Sequence, residues 1–249
     1  MRIPMAVQLY SVRDACARDF PGTLKAVAEM GYAGVEFAGY YNTPAAPLRS
    51  LLDDLGLRAA GTHIGIQSLL GDALEETAAF NLEIGNRFLI VPGLTPEYRS
   101  SLDAWRKTAD CFNAIADRLE RFGLFVGYHN HSHEFIPENG VTPWDAFFGA
   151  TKPAVIMQAD SGNALHGGAD VVPLIRRYPG RARSVHLKEH AAQNPKALIG
   201  EGDVRWDELF TVCETVGGTE WYVVEQESYP FPPMDCIRRC RETLQRMGR

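Results

Sequence analysis

The chain has 249 residues, of which 45% are hydrophobic and 22% are charged, and its formal net charge is −6. This composition is typical of a globular protein and excludes a disordered or fibrous chain. The negative charge and the scattered basic residues argue against a nucleic-acid-binding surface. No apolar run approaches the roughly 18 residues of a membrane span.

Short β-rich runs alternate with longer helix-like stretches from one end of the chain to the other. This alternation predicts parallel strands joined by crossover helices. Strands are predicted at Met5–Leu9, Gly34–Phe37, Leu57–Thr62, Phe88–Val91, Leu124–Tyr128, Ala154–Gln158, Ser184–Leu187 and Trp221–Val224. Eight such strands predict a single (β/α)8 barrel, a TIM barrel, over residues 1–249. A doubly wound open sheet is the alternative.

Local signals in the helical stretches agree with this pattern. The stretch from Pro96 to Phe122 has apolar residues at spacings of three and four, which predicts a helix. Gly31, Gly56 and Gly123 lie between predicted helices and strands, where a left-handed helix end is expected. Five cysteines without a C-x-x-C pair indicate a reducing compartment, so we expect a cytoplasmic protein, unless a leader is missing.

Polar residues gather at the carboxyl ends of the predicted strands, which all face one mouth of a TIM barrel. The early strands contribute Gln8, Tyr10, Glu36 and His63. The later strands contribute His129, His131, Glu134, Asp160, Asn163, His186, Lys188 and Glu225. A ring of carboxylates and imidazoles without a cation would pack like charges into a confined mouth at an electrostatic cost. The sequence therefore predicts one divalent metal ion; this mixed ligand set suits Mn, Co, Fe or Zn, with Mg less favoured.

The densest motif is Tyr128-His129-Asn130-His131-Ser132-His133-Glu134-Phe135. If the strand continues into it, His129 and His131 point to one face. A surface histidine cluster is the alternative interpretation. Lys188 follows His186 by two residues and could act as an acid, a base or an oxyanion clamp, or be a solvated charge. Gly200-Glu201-Gly202-Asp203 is interpreted as a flexible lid.

These motifs, in this order, resemble the xylose isomerase-like TIM barrel superfamily, specifically its sugar phosphate isomerase/epimerase family, which is similar to AP endonuclease family 2. The resemblance also rests on Val7-Gln8-Leu9-Tyr10-Ser11-Val12-Arg13 and on Gly34-Val35-Glu36. Epimerases of that family bind a metal through Glu, Asp, His and Glu, and the last three correspond to Asp160, His186 and Glu225. The first position departs from the pattern: His129 stands there, with His131 and Glu134 as alternatives.

The resemblance implies a metal-dependent isomerase, epimerase or lyase that removes a proton next to the carbonyl of a keto sugar, keto glycoside or inositol-like substrate. Glu225, Lys188, His131 and Glu134 are the candidate catalytic residues. Gln8, Tyr10, Glu36, His63 and Asn163 are the candidate substrate-binding residues. The expected partner is a small carbohydrate, with neither nucleic acid nor membrane, and a homo-oligomer is left open. An endonuclease IV-like repair nuclease and a non-catalytic sugar-binding barrel are the alternatives.

Overall fold

Eight parallel strands close into a barrel in sequence order in this computed structural model, which describes residues 2–249. The strands β1 to β8 are Met5–Gln8, Gly34–Phe37, Arg58–His63, Phe88–Val91, Phe125–His129, Ile156–Asp160, Ser184–Leu187 and Trp221–Val224. The predicted TIM barrel is therefore confirmed, and the open sheet is excluded because β1 pairs with β8. The third, fifth and sixth strands extend further toward the mouth than predicted and end at His63, His129 and Asp160.

Helices follow the strands and surround the barrel. Within residues 2–249, α1 to α11 are Arg13–Arg18, Phe20–Glu29, Ala45–Asp54, Ala73–Glu83, Pro96–Arg99, Leu102–Glu120, Pro143–Phe148, Ser161–His166, Val171–Arg177, Trp206–Val212 and Pro233–Arg246. The helix predicted over 96–122 is thus divided in two, because Ser101 adopts an extended backbone and caps α6. Gly31, Gly56 and Gly123 have positive φ as expected. None of the described helices is both long and apolar enough for a bilayer.

Alternate residues of the strands pack into two separate apolar layers. Inward-facing residues form a small core inside the barrel, whereas outward-facing residues join the helices in a much larger core. The inner core consists of Ala6, Ala60, Phe88, Ile90, Ile156, Trp221 and Val223. It fills the middle and the amino-terminal end of the barrel. The carboxyl-terminal end is filled by polar side chains, and chemistry in a TIM barrel is expected at that end.

A β-bulge in β3 changes which of its residues face inward. Val35 pairs with Ala59 and Glu36 pairs with Gly61, so one residue of β3 is extra. Regular alternation would direct Thr62 inward with Ala60. Instead Thr62 contacts Tyr40 on the outer side, and the His63 side chain reaches inward to Gln158. The bulge thus brings His63 to the site.

Candidate metal centre

Four predicted ligands converge at the carboxyl-terminal end of β5 to β8. One ligand atom from each of His129, Asp160, His186 and Glu225 lies within 4.8 Å of the other three. All four residues are buried. Imidazole nitrogen and carboxylate oxygen together suit a divalent ion such as Zn, Mn, Fe or Co. His131 and Glu134 are outside this group, so the placement favours His129 among the three candidates for the fourth ligand.

Asp160 has one carboxylate oxygen that makes no hydrogen bond. Its Oδ1 accepts a 2.6 Å hydrogen bond from the Asn163 backbone N–H and caps α8. Its Oδ2 is buried without a partner. Burial raises the pKa of Asp160 to about 7, although Lys188 acts in the opposite direction. A buried, unpartnered carboxylate oxygen beside two imidazoles is suited to bind a cation.

His186 is held between two carboxylates. Its Nε2 lies 2.5 Å from Glu36 Oε2, and its Nδ1 lies 2.6 Å from Glu225 Oε2 and 3.8 Å from Asp160 Oδ2. Burial disfavours the imidazolium, but Glu36 and Glu225 together raise the pKa of His186 to about 10. A carboxylate behind an imidazole orients the ring of many metal-binding histidines. Glu36 therefore directs Nδ1 of His186 toward the candidate centre.

The Gln158 side chain fixes the orientation of two further imidazoles. Its Nε2 donates to Glu36 Oε1 at 2.6 Å and to Ser184 Oγ at 2.9 Å, so its Oε1 is the acceptor that faces the histidines. His63 Nε2 lies 2.7 Å and His129 Nδ1 3.1 Å from that oxygen. Both nitrogens must carry hydrogen to donate to it. This tautomer leaves Nε2 of His129 with a lone pair for a metal ion.

An open cleft of about 560 Å³ lies above these residues. Tyr10, His63, His131, Glu225 and Glu227 are among the side chains that line it. Tyr10 is 43% exposed at its rim. The volume falls within the range of about 300–1,000 Å³ that is common for small-molecule sites.

Lys188 lies beside the candidate centre, and its ammonium group faces two carboxylates. Its Nζ forms an ion pair with Glu227 and lies 4.0 Å from Glu225 Oε1. Although burial opposes it, Glu225, Asp160 and Glu227 raise the pKa of Lys188. Burial likewise opposes ionisation of Glu225, but Lys188 and His186 hold the pKa of Glu225 well below its usual value. Lys188 is therefore a cation and Glu225 an anion within reach of the cleft.

Three predicted site residues have placements that argue against contact with substrate. Gln8 and Glu36 are fully buried below the ligand group, where Gln8 Nε2 donates to Glu36 Oε2 at 2.8 Å. Glu134 is also fully buried; it accepts hydrogen bonds from the Tyr128 hydroxyl at 2.6 Å and the His131 backbone N–H at 2.9 Å. These carboxylates hold neighbouring groups in place because their oxygens are already occupied. Asn163 lines a second cavity.

No role was predicted from the sequence for Gln158, which ends the predicted sixth strand, or for Glu189 and Glu227. Gln158 orients two histidines, and Glu227 pairs with Lys188. The signal for Gln158 is its position two residues before Asp160 in an otherwise apolar strand, which places both on one face. Glu189 receives bonds from the Gly200 N–H at 2.7 Å and from the Trp206 indole at 3.0 Å. The Gly200–Asp203 segment is thereby anchored, which argues against the predicted flexible lid.

Comparison with known proteins agrees with this architecture. An inosose dehydratase from Geobacillus kaustophilus is 27% identical over 266 residues, which cover 90% of this chain and 86% of that protein. A sugar phosphate isomerase/epimerase from Parabacteroides distasonis has the same fold, with a TM-score of 0.84, 22% identity and 98% of both chains covered. The IolI protein with a bound zinc atom has a TM-score of 0.76 at 12% identity over 97% of this chain and 96% of that one. The profile named xylose isomerase-like TIM barrel matches residues 24–247, and the chain belongs to this family.

Proposed function

We propose that this protein is a divalent-metal-dependent lyase or isomerase that removes a proton next to the carbonyl of a keto sugar or related polyol. The observation that carries the proposal is the convergence of His129, Asp160, His186 and Glu225, with Oδ2 of Asp160 left without a partner, beneath an open cleft. Similarity to an inosose dehydratase supports sugar chemistry. Similarity in fold to the zinc-bound IolI protein is compatible with a metal site.

The four converging residues would hold the ion, which would supply positive charge to stabilise an oxyanion and acidify the adjacent C–H bond. Glu225 is both a candidate ligand and the candidate proton carrier, because its carboxylate lines the cleft. Lys188 lies 4.0 Å from that carboxylate and keeps it ionised. His131 lines the same cleft as a second candidate for proton transfer.

The ligand set favours one-sided chemistry over inversion at carbon. A set of Glu, Asp, His and Glu with a divalent ion sums to −3 + 2 = −1, whereas His129, Asp160, His186 and Glu225 sum to −2 + 2 = 0. A neutral centre attracts an oxyanion better than an anionic one. Inversion by two opposed carboxylates also needs a second acidic side chain that faces the substrate. Glu134 does not face the cleft, because its carboxylate accepts hydrogen bonds from the Tyr128 hydroxyl and the His131 N–H. We therefore expect elimination or an aldose–ketose shift.

The test combines metal analysis with proton exchange. The purified protein should contain about one divalent ion per chain, as one four-ligand site implies. Incubation with keto sugars in D₂O should place deuterium next to the carbonyl, and Glu225→Gln should abolish this incorporation, as read by NMR. Asp53→Asn, an exposed acid on α3, serves as the matched control and should exchange normally. Normal exchange by Glu225→Gln would remove Glu225 from the mechanism, and a clean epimer product would contradict the one-sided chemistry.

The nuclease and the sugar-binding barrel make different predictions. Nitrogen atoms of His63, His129 and His186 also lie within 4.8 Å of one another, as a further metal site would require. However, Gln158 binds nitrogens of His63 and His129, and the net charge of −6 opposes DNA binding. A gel-shift on abasic duplex DNA tests the nuclease. A protein that binds keto sugars without deuterium exchange would instead be the non-catalytic barrel.

A further inference from the structure

A second cavity of about 340 Å³ adjoins the candidate metal centre. The loop after β7, the start of α8 and the segment after β8 form its walls. Its polar lining consists mainly of Asn163, His166, Lys188, His190, Asn194 and Ser228. This volume is by itself within the range of about 300–1,000 Å³ typical of small-molecule sites.

The ion pair of Lys188 and Glu227 links the lining of the cleft to the lining of this cavity. Glu227 lines the cleft, and Lys188 lines the second cavity. Lys188 Nζ is at the same time 4.0 Å from Glu225, one of the candidate ligands. A substrate that reacts beside Glu225 and extends past Lys188 would therefore enter the second cavity.

The lining suits an uncharged, hydroxyl-rich group. Among the described residues that line the cavity, Lys188 is the only lysine or arginine. Its positive charge is compensated by the carboxylates of Glu227 and Glu225. Glu189 also borders the cavity, but its Oε2 accepts bonds from the Gly200 N–H and the Trp206 indole, and its Oε1 accepts one from the His190 N–H at 3.0 Å. The remaining amide, imidazole and hydroxyl groups can exchange hydrogen bonds with sugar hydroxyls.

The wall of the cavity is held by hydrogen bonds and close packing between the two halves of the loop after β7. The Asp203 N–H donates to the His190 carbonyl at 2.7 Å, and the Ala192 N–H donates to Asp203 Oδ2 at 3.2 Å. Gly202 packs so closely that a Cβ there would lie 2.3 Å from the His190 carbonyl oxygen. A wall held in this way keeps its shape before a ligand arrives, which lowers the entropic cost of binding.

We propose that the second cavity binds the second ring of a two-ring substrate, so that the preferred substrate is a neutral keto glycoside and not a single keto sugar. This inference rests on the proposed function. The reacting ring lies in the cleft above the four candidate ligands. The ring attached through the glycosidic oxygen lies beyond Lys188, against Asn163, His166 and His190.

The test compares a 3-keto disaccharide with the methyl glycoside of the same 3-keto ring. Wild-type kcat/KM should be at least about tenfold higher for the disaccharide, the size of effect that about 1.4 kcal/mol of extra binding gives. Ala192→Trp adds a large side chain to an exposed position on the cavity wall and should lower kcat/KM for the disaccharide about tenfold more than for the methyl glycoside. His166→Ala, which removes an exposed polar group, should reduce the same preference.

The matched control is Ala150→Trp, an exposed alanine before β6 at the opposite end of the barrel, which should leave both values unchanged. Equal kcat/KM for the two substrates, or equal losses for both in Ala192→Trp, would overturn the two-ring assignment. A preference for a phosphate ester over the neutral disaccharide would also overturn it. Absence of deuterium exchange with every keto sugar would instead remove the proposed function, and this inference with it.

Discussion

The two ends of the barrel interior are built from opposite chemistry on the same eight strands. At the amino-terminal end, Phe88, Phe125 and Trp221 fill the space, and arginines cover them: Arg183 lies 3.9 Å from the Phe125 ring centroid and Arg58 4.6 Å from that of Trp221. At the carboxyl-terminal end, inward positions hold carboxylates, imidazoles and amides. Aromatic burial and cation–π contacts stabilise the first end, whereas buried charges at the second carry a desolvation cost.

The difference teaches that stability and function are separated along the barrel axis. Substitutions at the amino-terminal end should affect unfolding and leave chemistry intact, and substitutions at the carboxyl-terminal end should do the reverse. The following predictions test this separation, from the largest expected effect to the smallest.

Asp160→Ala should lower activity by at least about a thousandfold and remove the bound metal, because it deletes the unpartnered ligand oxygen. The pKa of Asp160 in the fold, about 7, is above its ordinary value of 3.8, so the stability of the metal-free protein falls as the pH rises from 3.8 to about 7, and the full cost remains above pH 7. Metal-free Asp160→Ala should therefore be at least as stable as metal-free wild type at pH 8, because relief of this cost outweighs the roughly 1 kcal/mol lost with the Asp160 cap on α8. Thermal melts with chelator and metal analysis check both points; full activity in the metal-free variant would refute the site.

Phe88→Ala should lower the free energy of unfolding by about 3–5 kcal/mol, because it empties a buried aromatic position in the inner core. Metal stoichiometry and KM should stay the same in the folded fraction. Urea denaturation and metal analysis give the two readouts. Leu82→Ala, at a position that is 44% exposed, is the control and should change stability little. Loss of metal by folded Phe88→Ala would show that the two ends are coupled.

Lys188→Met should lower kcat about a hundredfold with little change in metal content, because it removes the cation next to Glu225 but none of the four candidate ligands. Lys188→Arg keeps the charge and should retain more activity. Steady-state kinetics and metal analysis distinguish the effects. A parallel loss of metal and activity would show that Lys188 stabilises the metal-binding residues and takes no part in catalysis.

Metal binding should release protons, and more of them at low pH. A ligand must lose its proton to bind, and the pKa of His186 is raised to about 10 by Glu36 and Glu225, while that of Asp160 is about 7. About one proton should leave at pH 8, from His186, and nearly two at pH 6, so affinity falls as pH falls. Calorimetry in buffers of different ionisation enthalpy measures this number. Glu36→Gln should release fewer protons at pH 8; an unchanged count would contradict the role of Glu36.

The sequence predicted the barrel, its eight strands and the convergence of polar strand ends, because parallel strands direct their carboxyl ends to one mouth. It also predicted the residues that form the converging group. It could not show that the carboxylate oxygens of Glu36 and Glu134 already accept hydrogen bonds from buried groups. Whether each side chain faces the cleft or the barrel interior depends on how far its strand extends. The roles of Gln158 and Glu189 depend on partners 95 and 11 residues away, His63 and Gly200, which no local pattern reveals.

The bulge in β3 gives this strand an irregular pattern of mutational tolerance. Ala60 and Gly61 are consecutive, yet both meet the barrel interior: Ala60 joins the inner core, and a Cβ on Gly61 would lie 2.6 Å from Glu36 Oε1. A saturation scan of a regular strand shows intolerant inward positions at every second residue. Here two adjacent positions should accept only small residues, followed by Thr62, which faces the helices. Two consecutive small residues shortly before a histidine at the end of a strand thus indicate, in the sequence itself, the extra residue that turns His63 toward the cleft.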